Sequence, residues 1–230
     1  MEIAGIQKLT LLDYPGFVAC TVFTSGCNFR CPFCHNAELV IGCRERDPQA
    51  EDVFWKLLEQ RRGILEGVVI SGGEPLLQHD LEAFIFSVKE KGYRVKLDTN
   101  GSLPERLRAL ISGNLVDFVA MDVKNSPQKY ALTSGVAADV ESVGRSIALL
   151  LEGNVPYEFR TTAVKGLHTA EDFSEIGRWI EGAEHYYIQC FQDSGGLISQ
   201  GWEKPSAQDL AAFLAAAKEY VPRAVLRGVS

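Results

Sequence analysis

Short runs of β-branched and aromatic residues alternate along this chain with longer stretches in which apolar residues recur every three or four positions. Residues 17–24 (Phe-Val-Ala-Cys-Thr-Val-Phe-Thr) are of the first kind and predict a strand. From Asp47-Pro48 to about Arg62 the second pattern takes over, with Val53, Phe54, Leu57 and Leu58 on one face of a predicted helix. Gly67-Val-Val-Ile-Ser71 is short, apolar and β-branched, the pattern of a strand covered on both faces. The alternation continues with a helix over His79 to Lys91, a strand over Tyr93 to Asp98, a helix from Pro104, and a strand over Asp117 to Val123. A helix over Asp139 to Leu151, a strand over Tyr157 to Val164, a helix over Ala170 to Ile180 and a strand over His185 to Phe191 follow. An Ala-rich helix over Ala207 to Tyr220 and a short strand over Ala224 to Arg227, stopped by Gly228, end the series.

Strands alternating with amphipathic helices build right-handed βαβ units. Setting aside the short last strand, six such strands are two short of a closed eightfold barrel, so the expected fold is α/β, an open partial (β/α)6 barrel with a mostly parallel sheet. No linker interrupts the series, and one domain is expected over 1–230, with its core at about 17–192 and a C-terminal helical extension over 193–230. The polar clusters all fall just after predicted strands: Cys27 to Cys34, Gly72-Gly73-Glu74, Asp98-Thr99-Asn100-Gly101, Asp122 to Lys124, Arg160 and Gln192. The carboxyl ends of parallel strands share one face, so these clusters are expected to meet in one site.

Composition narrows the class. The 230 residues are 46% hydrophobic and 23% charged, and no apolar run approaches the ~20 residues of a membrane span. The start lacks the basic and apolar segments of a secretory signal, so a cytoplasmic protein is expected. A net charge of −7 without a basic stripe argues against nucleic acid as a partner, and the acidic surface serves either solubility or docking of a protein. The cysteines (Cys20, Cys27, Cys31, Cys34, Cys43, Cys190) cluster too unevenly for a disulfide framework and point to metal or redox chemistry.

Cys27-x3-Cys31-x2-Cys34 places three thiols on one tight loop, as soft metals and iron–sulfur clusters require. A structural zinc site would need a fourth ligand such as His35, Cys20 or Cys43, and zinc motifs normally come as two separated pairs. A four-iron cluster on three cysteines keeps one iron open for a ligand, and ligand chemistry favours it over zinc. The two glycines before Glu74 allow close backbone approach to a ligand, and Glu74 offers an acceptor for an ammonium group; alone, the segment reads first as a Gly-Gly turn with a solvated carboxylate. Lys124 and Arg160 read alone as partners in surface salt bridges, and His79, His168 and His185 show no paired carboxylate pattern.

The cysteine motif with Phe33 before its last thiol resembles the signature of the radical S-adenosylmethionine (SAM) superfamily, and Ser71-Gly-Gly-Glu-Pro75 is similar to its Gly-Gly-Glu segment. Within it the chain resembles the activating enzymes of glycyl-radical proteins, most closely those of anaerobic ribonucleoside-triphosphate reductase. The resemblance is carried by Gly5 to Gly16, Cys-Pro-Phe-Cys-His-Asn36, Asp98-Thr-Asn-Gly101, Met121-Asp-Val-Lys124 and Phe159-Arg-Thr-Thr162. It implies a [4Fe-4S] cluster on Cys27, Cys31 and Cys34, with SAM on the open iron, and contacts to SAM from Phe33, Gly72, Gly73, Glu74, Asp98, Asp122, Lys124, Arg160 and Gln192. Gln192 stands where the pyruvate formate-lyase activator has a histidine, so a ribose contact is expected of an amide that cannot titrate. The same likeness implies a monovalent cation at Asp98, Thr99 and Asp122, a flavodoxin- or ferredoxin-type electron donor, and a glycyl-radical enzyme as protein substrate. The implied reaction is reductive cleavage of SAM to a 5′-deoxyadenosyl radical, which takes a hydrogen from a partner glycine without a general acid or base. His35 is expected to hydrogen-bond the loop backbone or a cluster sulfur. The rival readings are a small-molecule enzyme like the 7-carboxy-7-deazaguanine synthases and a zinc-stapled binding module.

Overall fold

A computed structural model describes residues 1–41, 49–193 and 195–228. The helix start expected at Asp47-Pro48, and Cys43, lie outside the described residues. Among those residues the strands are β1 (Ile3–Thr10), β2 (Ala19–Thr24), β3 (Gly67–Gly72), β4 (Arg94–Thr99), β5 (Phe118–Asp122), β6 (Tyr157–Ala163), β7 (Tyr186–Cys190) and β8 (Val225–Arg227), in one sheet in that order. The helices are α1 (Ala37–Val40), α2 (Ala50–Gln60), α3 (Leu81–Glu90), α4 (Pro104–Ser112), α5 (Tyr130–Ser134), α6 (Val140–Leu151), α7 (Ala170–Trp179) and α8 (Ala207–Lys218). The expected α/β fold with an open, mostly parallel sheet is present. The six expected strands appear as β2 to β7, and the short strand expected near the C-terminus appears as β8. β1 was not foreseen: Ile3-Ala-Gly-Ile-Gln-Lys-Leu-Thr10 lacks an alternating pattern because it is the antiparallel edge strand, with Gln7 to Leu9 exposed.

The chain packs as two compact units, residues 1–28, 38–99 and 105–119 in the first and 29–37, 100–104 and 120–230 in the second. In the first, β2, β3 and β4 pair in parallel. Val68, Val69 and Ile70 are completely buried, as their unbroken apolar run predicts. α2 turns Phe54, Leu57 and Leu58 inward, and Phe54 meets Phe84 of α3 at 5.1 Å between ring centroids. Asp117 ties α3 to β4 by accepting from Lys89 Nζ at 2.8 Å and from the Val95 N–H at 2.7 Å.

In the second unit β6, β7 and β8 pair in parallel. Thr169 and Asp172 form a capping box at the start of α7, Ser206 and Asp209 another at the start of α8, and Phe173 stacks on Phe213 at 4.6 Å to join the two helices. A buried polar network fixes the segment after β5. Asn125 donates to Thr133 Oγ1 at 2.7 Å and to the Leu167 carbonyl at 3.1 Å, and the Ser126 hydroxyl and Lys129 ammonium both donate to Asp172. The Val164 N–H donates to His168 Nδ1 at 3.1 Å, so Nε2 carries the ring proton and donates to the Lys124 carbonyl at 2.9 Å.

This arrangement holds His168 neutral. Burial pushes its pKa below the ordinary value, outweighing the backbone carbonyl and Asp172, which favour the charged form, while Lys129 opposes it. The unfolded chain therefore takes up this proton first, so the histidine's contribution to stability is complete above pH ~6.5 and is lost as the pH falls below it. The melting temperature should decline as the pH drops from about 7 to about 5. H168Q, whose amide supplies one acceptor and one donor, should decline less steeply; identical slopes in the two proteins would remove His168 as the cause.

Candidate active site

In the first unit, the segment that follows β3 is built against the segment that carries β2 into the cysteine loop. The Gly73 N–H donates to the Thr24 carbonyl at 2.9 Å and the Glu74 N–H to the Gly26 carbonyl at 2.8 Å. A Cβ on Gly73 would lie 1.9 Å from the Gly26 carbonyl oxygen, and one on Gly72, whose φ is +111°, would lie 2.4 Å from the Thr24 nitrogen. Both positions require glycine for this backbone-to-backbone approach, whereas the sequence had assigned them to approach of a ligand. Glu74 is completely buried. Its Oε1 accepts from the Leu76 N–H at 3.0 Å and from the Thr99 hydroxyl at 2.8 Å. Arg106 holds the short 3₁₀ turn over Pro75–Leu77 by donating to the Leu76 and Gln78 carbonyls at 2.6 and 2.7 Å.

Asp98, at the end of β4, has a partner that sequence reading missed. Lys96, two residues earlier on the same face of the strand, is 1% exposed and pairs its ammonium with Asp98 Oδ1, while the Ser71 hydroxyl donates to Oδ2 at 3.1 Å. The i, i+2 spacing of Lys96 and Asp98 in Arg94-Val-Lys-Leu-Asp-Thr99 was the available signal; a lysine in a strand reads first as surface.

In the second unit, residues 29–37 carry Cys31 and Cys34. The Cys34 N–H donates to the Cys31 carbonyl at 3.0 Å, and the Arg30 N–H donates to the carbonyl of Ser134, at the end of α5, at 2.8 Å. Gly135 then turns away with φ +69°, where a Cβ would fall 2.0 Å from the Arg30 carbonyl oxygen. On the other side the Ser199 N–H donates to the Pro32 carbonyl at 2.8 Å, so the C-terminal extension, which showed no motif, holds the loop. Phe33 is buried and meets Phe191 edge-on at 6.3 Å, and His35 stacks on the same ring at 5.4 Å. Burial pushes His35 below its ordinary pKa, against the nearby Asp193.

Three predicted residues of this unit meet in one ion network. Asp122 accepts from Arg160 Nε at 2.9 Å and from Lys124 Nζ at 3.0 Å. Burial alone pushes the Asp122 carboxyl up, but the two cations outweigh it and hold it well below the usual carboxylate range. Lys124 responds in the opposite sense: Asp122, reinforced by Cys31, outweighs burial and holds the ammonium above its ordinary value. These are largely buried pairs, not the exposed salt bridges that the sequence left open. Glu158, nearly buried, continues the network by accepting from Arg227 at 3.3 Å on both oxygens, and Arg227 lies 3.6 Å over the Tyr187 ring. Gln192 is exposed and donates to the Gly228 carbonyl at 3.1 Å.

The donor set suits a soft metal. Cys20, Cys27, Cys31, Cys34 and Cys190 are thiols, and Cys20 is set apart by complete burial, which pushes it up to about 12. No group of three or more His, Cys, Asp or Glu side chains is drawn to metal-holding distances among the described residues, so a cluster on this loop is argued from thiol number and spacing.

Residues 21–180 match the model of the radical SAM superfamily. The chain is 33% identical to a provisionally named glycyl-radical enzyme activating enzyme of Methanocaldococcus jannaschii (MJ1227), over 99% of this chain and 96% of that one. It is 29% identical to the pyruvate formate-lyase-activating enzyme of Streptococcus mutans, over 83% of this chain and 75% of that one. It is also 28% identical to the 7-carboxy-7-deazaguanine synthase of Methanopyrus kandleri, over 78% and 75%. Among solved structures, SuiB of Streptococcus suis bound to its precursor peptide SuiA superposes with a TM-score of 0.70 at 16% identity, covering 90% of this chain and 48% of that one, a likeness of fold. The thiol spacing, the Gly-Gly-Glu segment locked against Gly26 and the family match agree: the chain belongs to the radical SAM superfamily, among the activating enzymes of glycyl-radical proteins.

Proposed function

We propose that this protein generates the glycyl radical of an anaerobic ribonucleoside-triphosphate reductase, working as one radical SAM domain over residues 1–230. The observation that carries the reading is the pair of hydrogen bonds from Gly73 and Glu74 to the Thr24 and Gly26 carbonyls. They make the Gly-Gly-Glu segment and the entry to the cysteine loop one piece of structure, although the two are far apart in sequence. When bound, a [4Fe-4S] cluster with SAM supplies a 5′-deoxyadenosyl radical, which takes a hydrogen atom from a glycine of the partner.

The chain's own residues hold and orient. Cys27, Cys31 and Cys34 ligate the cluster. Gly72, Gly73 and Glu74 set the backbone at the end of β3, and Asp98 closes β4. Lys124 and Arg160 bring two cations to Asp122, a fitting environment for the carboxylate or ribose of SAM. Phe33 packs the loop onto Phe191 and keeps water from it. Gln192 is tied to Gly228, and its contact with the ribose requires that bond to open. The electron comes from a flavodoxin- or ferredoxin-type donor. No helix is long and apolar enough to cross a membrane among the described residues, and a cytoplasmic site of action is part of this reading. The likeness to 7-carboxy-7-deazaguanine synthase supports a second reading, turnover of a small molecule.

Anaerobically reconstituted protein, reduced and mixed with SAM and candidate glycyl-radical enzymes, should give a glycyl doublet by electron paramagnetic resonance with the anaerobic reductase. No doublet with any candidate, alongside turnover of a small molecule, would establish the second reading instead. Serine at Cys27, Cys31 or Cys34 should each abolish the visible absorption of the cluster and reduce the doublet to background. A colourless wild-type protein that retains zinc would eliminate both readings. G73A should lose about 1–3 kcal/mol of stability, because the new methyl group collides with backbone at Gly26, and should take up less iron than wild type.

A further inference from the structure

The expected monovalent cation does not fit the residues assigned to it. Asp98 pairs through Oδ1 with the Lys96 ammonium and accepts the Ser71 hydroxyl on Oδ2. The Thr99 hydroxyl proton is directed to Glu74. Asp122 holds the Lys124 ammonium at 3.0 Å and the Arg160 guanidinium at 2.9 Å. Asp98 and Asp122 are thus each already matched by cations of the protein itself, and neither offers an uncompensated charge to a further positive ion.

We propose that Lys96 is a built-in replacement for that cation: its ammonium occupies Asp98 permanently, and the protein needs neither potassium nor sodium there. Lys96 is suited to the task by its seat. Strand geometry sends its side chain to the same face as Asp98, two residues on, and the side chain is almost wholly withdrawn from solvent. Its ammonium lies 6.0 Å from the centroid of the Phe118 ring, whose π face attracts a cation. A tethered ammonium is present at every salt concentration, whereas a bound alkali ion comes and goes with its concentration. The consequence is a site whose charge is fixed by the chain and indifferent to the ionic composition around it.

The inference rests on the radical SAM reading only for the nature of the ligand beside Asp98, so its first test uses neither SAM nor a partner. Wild-type protein is melted in about 0.1 M KCl, NaCl or choline chloride at equal ionic strength. Melting temperatures within about 1 °C of one another are expected, whereas a potassium- or sodium-specific rise of roughly 5–10 °C, the scale of a site well saturated at that concentration, would overturn the proposal. K96M leaves Asp98 without its ammonium and should acquire a potassium- or sodium-specific rise that wild type lacks, and the double variant K96M/D98N should lose it again. A folded K96M that is indifferent to alkali ions would overturn the proposal equally. Should K96M not fold, titration of SAM into reconstituted wild type in potassium and in choline decides: equal affinities support the built-in ammonium, and tenfold tighter binding in potassium refutes it. A protein that shows no alkali-ion effect yet makes no glycyl radical would leave this inference standing while the proposed function fails.

Discussion

The approach of the Gly73 backbone to the Gly26 carbonyl is the constraint on which the rest of the first unit depends. Each peptide there satisfies the other's backbone groups, and only a residue without a side chain reaches so close. Once Gly73 is placed, Glu74 follows at a fixed height. Its carboxylate is completely buried, a position that donation from Leu76 and Thr99 makes less costly. Thr99 in turn belongs to β4, so one backbone contact sets the relation of three strand ends to the entry of the cysteine loop. The motif that looks like a ligand cradle in sequence is, in the structure, first a joint.

Charge in both units is compensated within the protein. Asp98 has Lys96, Asp122 has Lys124 and Arg160, and Glu158 has Arg227. Pairs of this kind are costly to break, because removing one partner strands the other in a poorly solvated position. They are also directional, with fixed donors and acceptors that hold strand-end side chains in single orientations. Such an arrangement suits chemistry in which the protein's work is to place a reactive group rather than to move protons. No paired acid and base is needed, and Asp98, Asp122 and Glu158 each face a cation of the protein itself, while Glu74 is held by neutral donors.

Much of this was legible in the chain. The βα alternation, the thiol spacing and the positions of Asp122 and Lys124 at the end of a strand could all be read because each depends on local periodicity or on residues within a few positions of one another, whereas Arg160, expected after a strand, lies inside β6. What escaped reading depends on contacts distant in sequence. β1 is an edge strand with one ladder and no alternating burial, α5 is one turn long, and Gly135 is required only because Arg30 passes beside it. His168 had no recognisable pattern, since its partners are the backbone groups of Val164 and Lys124, which leave no trace in residue type. Ser199 is likewise a backbone donor, and its identity says nothing about the Pro32 carbonyl that it meets.

The cysteine loop gathers these unreadable contacts. Cys27 belongs to the first unit, entered through Gly26, while Cys31 and Cys34 belong to the second, where Ser134, Gly135 and Ser199 grip the backbone around them. A loop of so few residues has little hydrophobic surface of its own to bury, and the backbone on either side of Cys31 gains its order from bonds to segments about 100 and 170 residues downstream. The order of the backbone around Cys31 and Cys34 is therefore a property of the second unit. The C-terminal extension, which carries no recognisable signature, is consequently part of what prepares the thiols, and a fragment ending near residue 192 would keep every motif while losing the Ser199 bond that holds Pro32 between two of them.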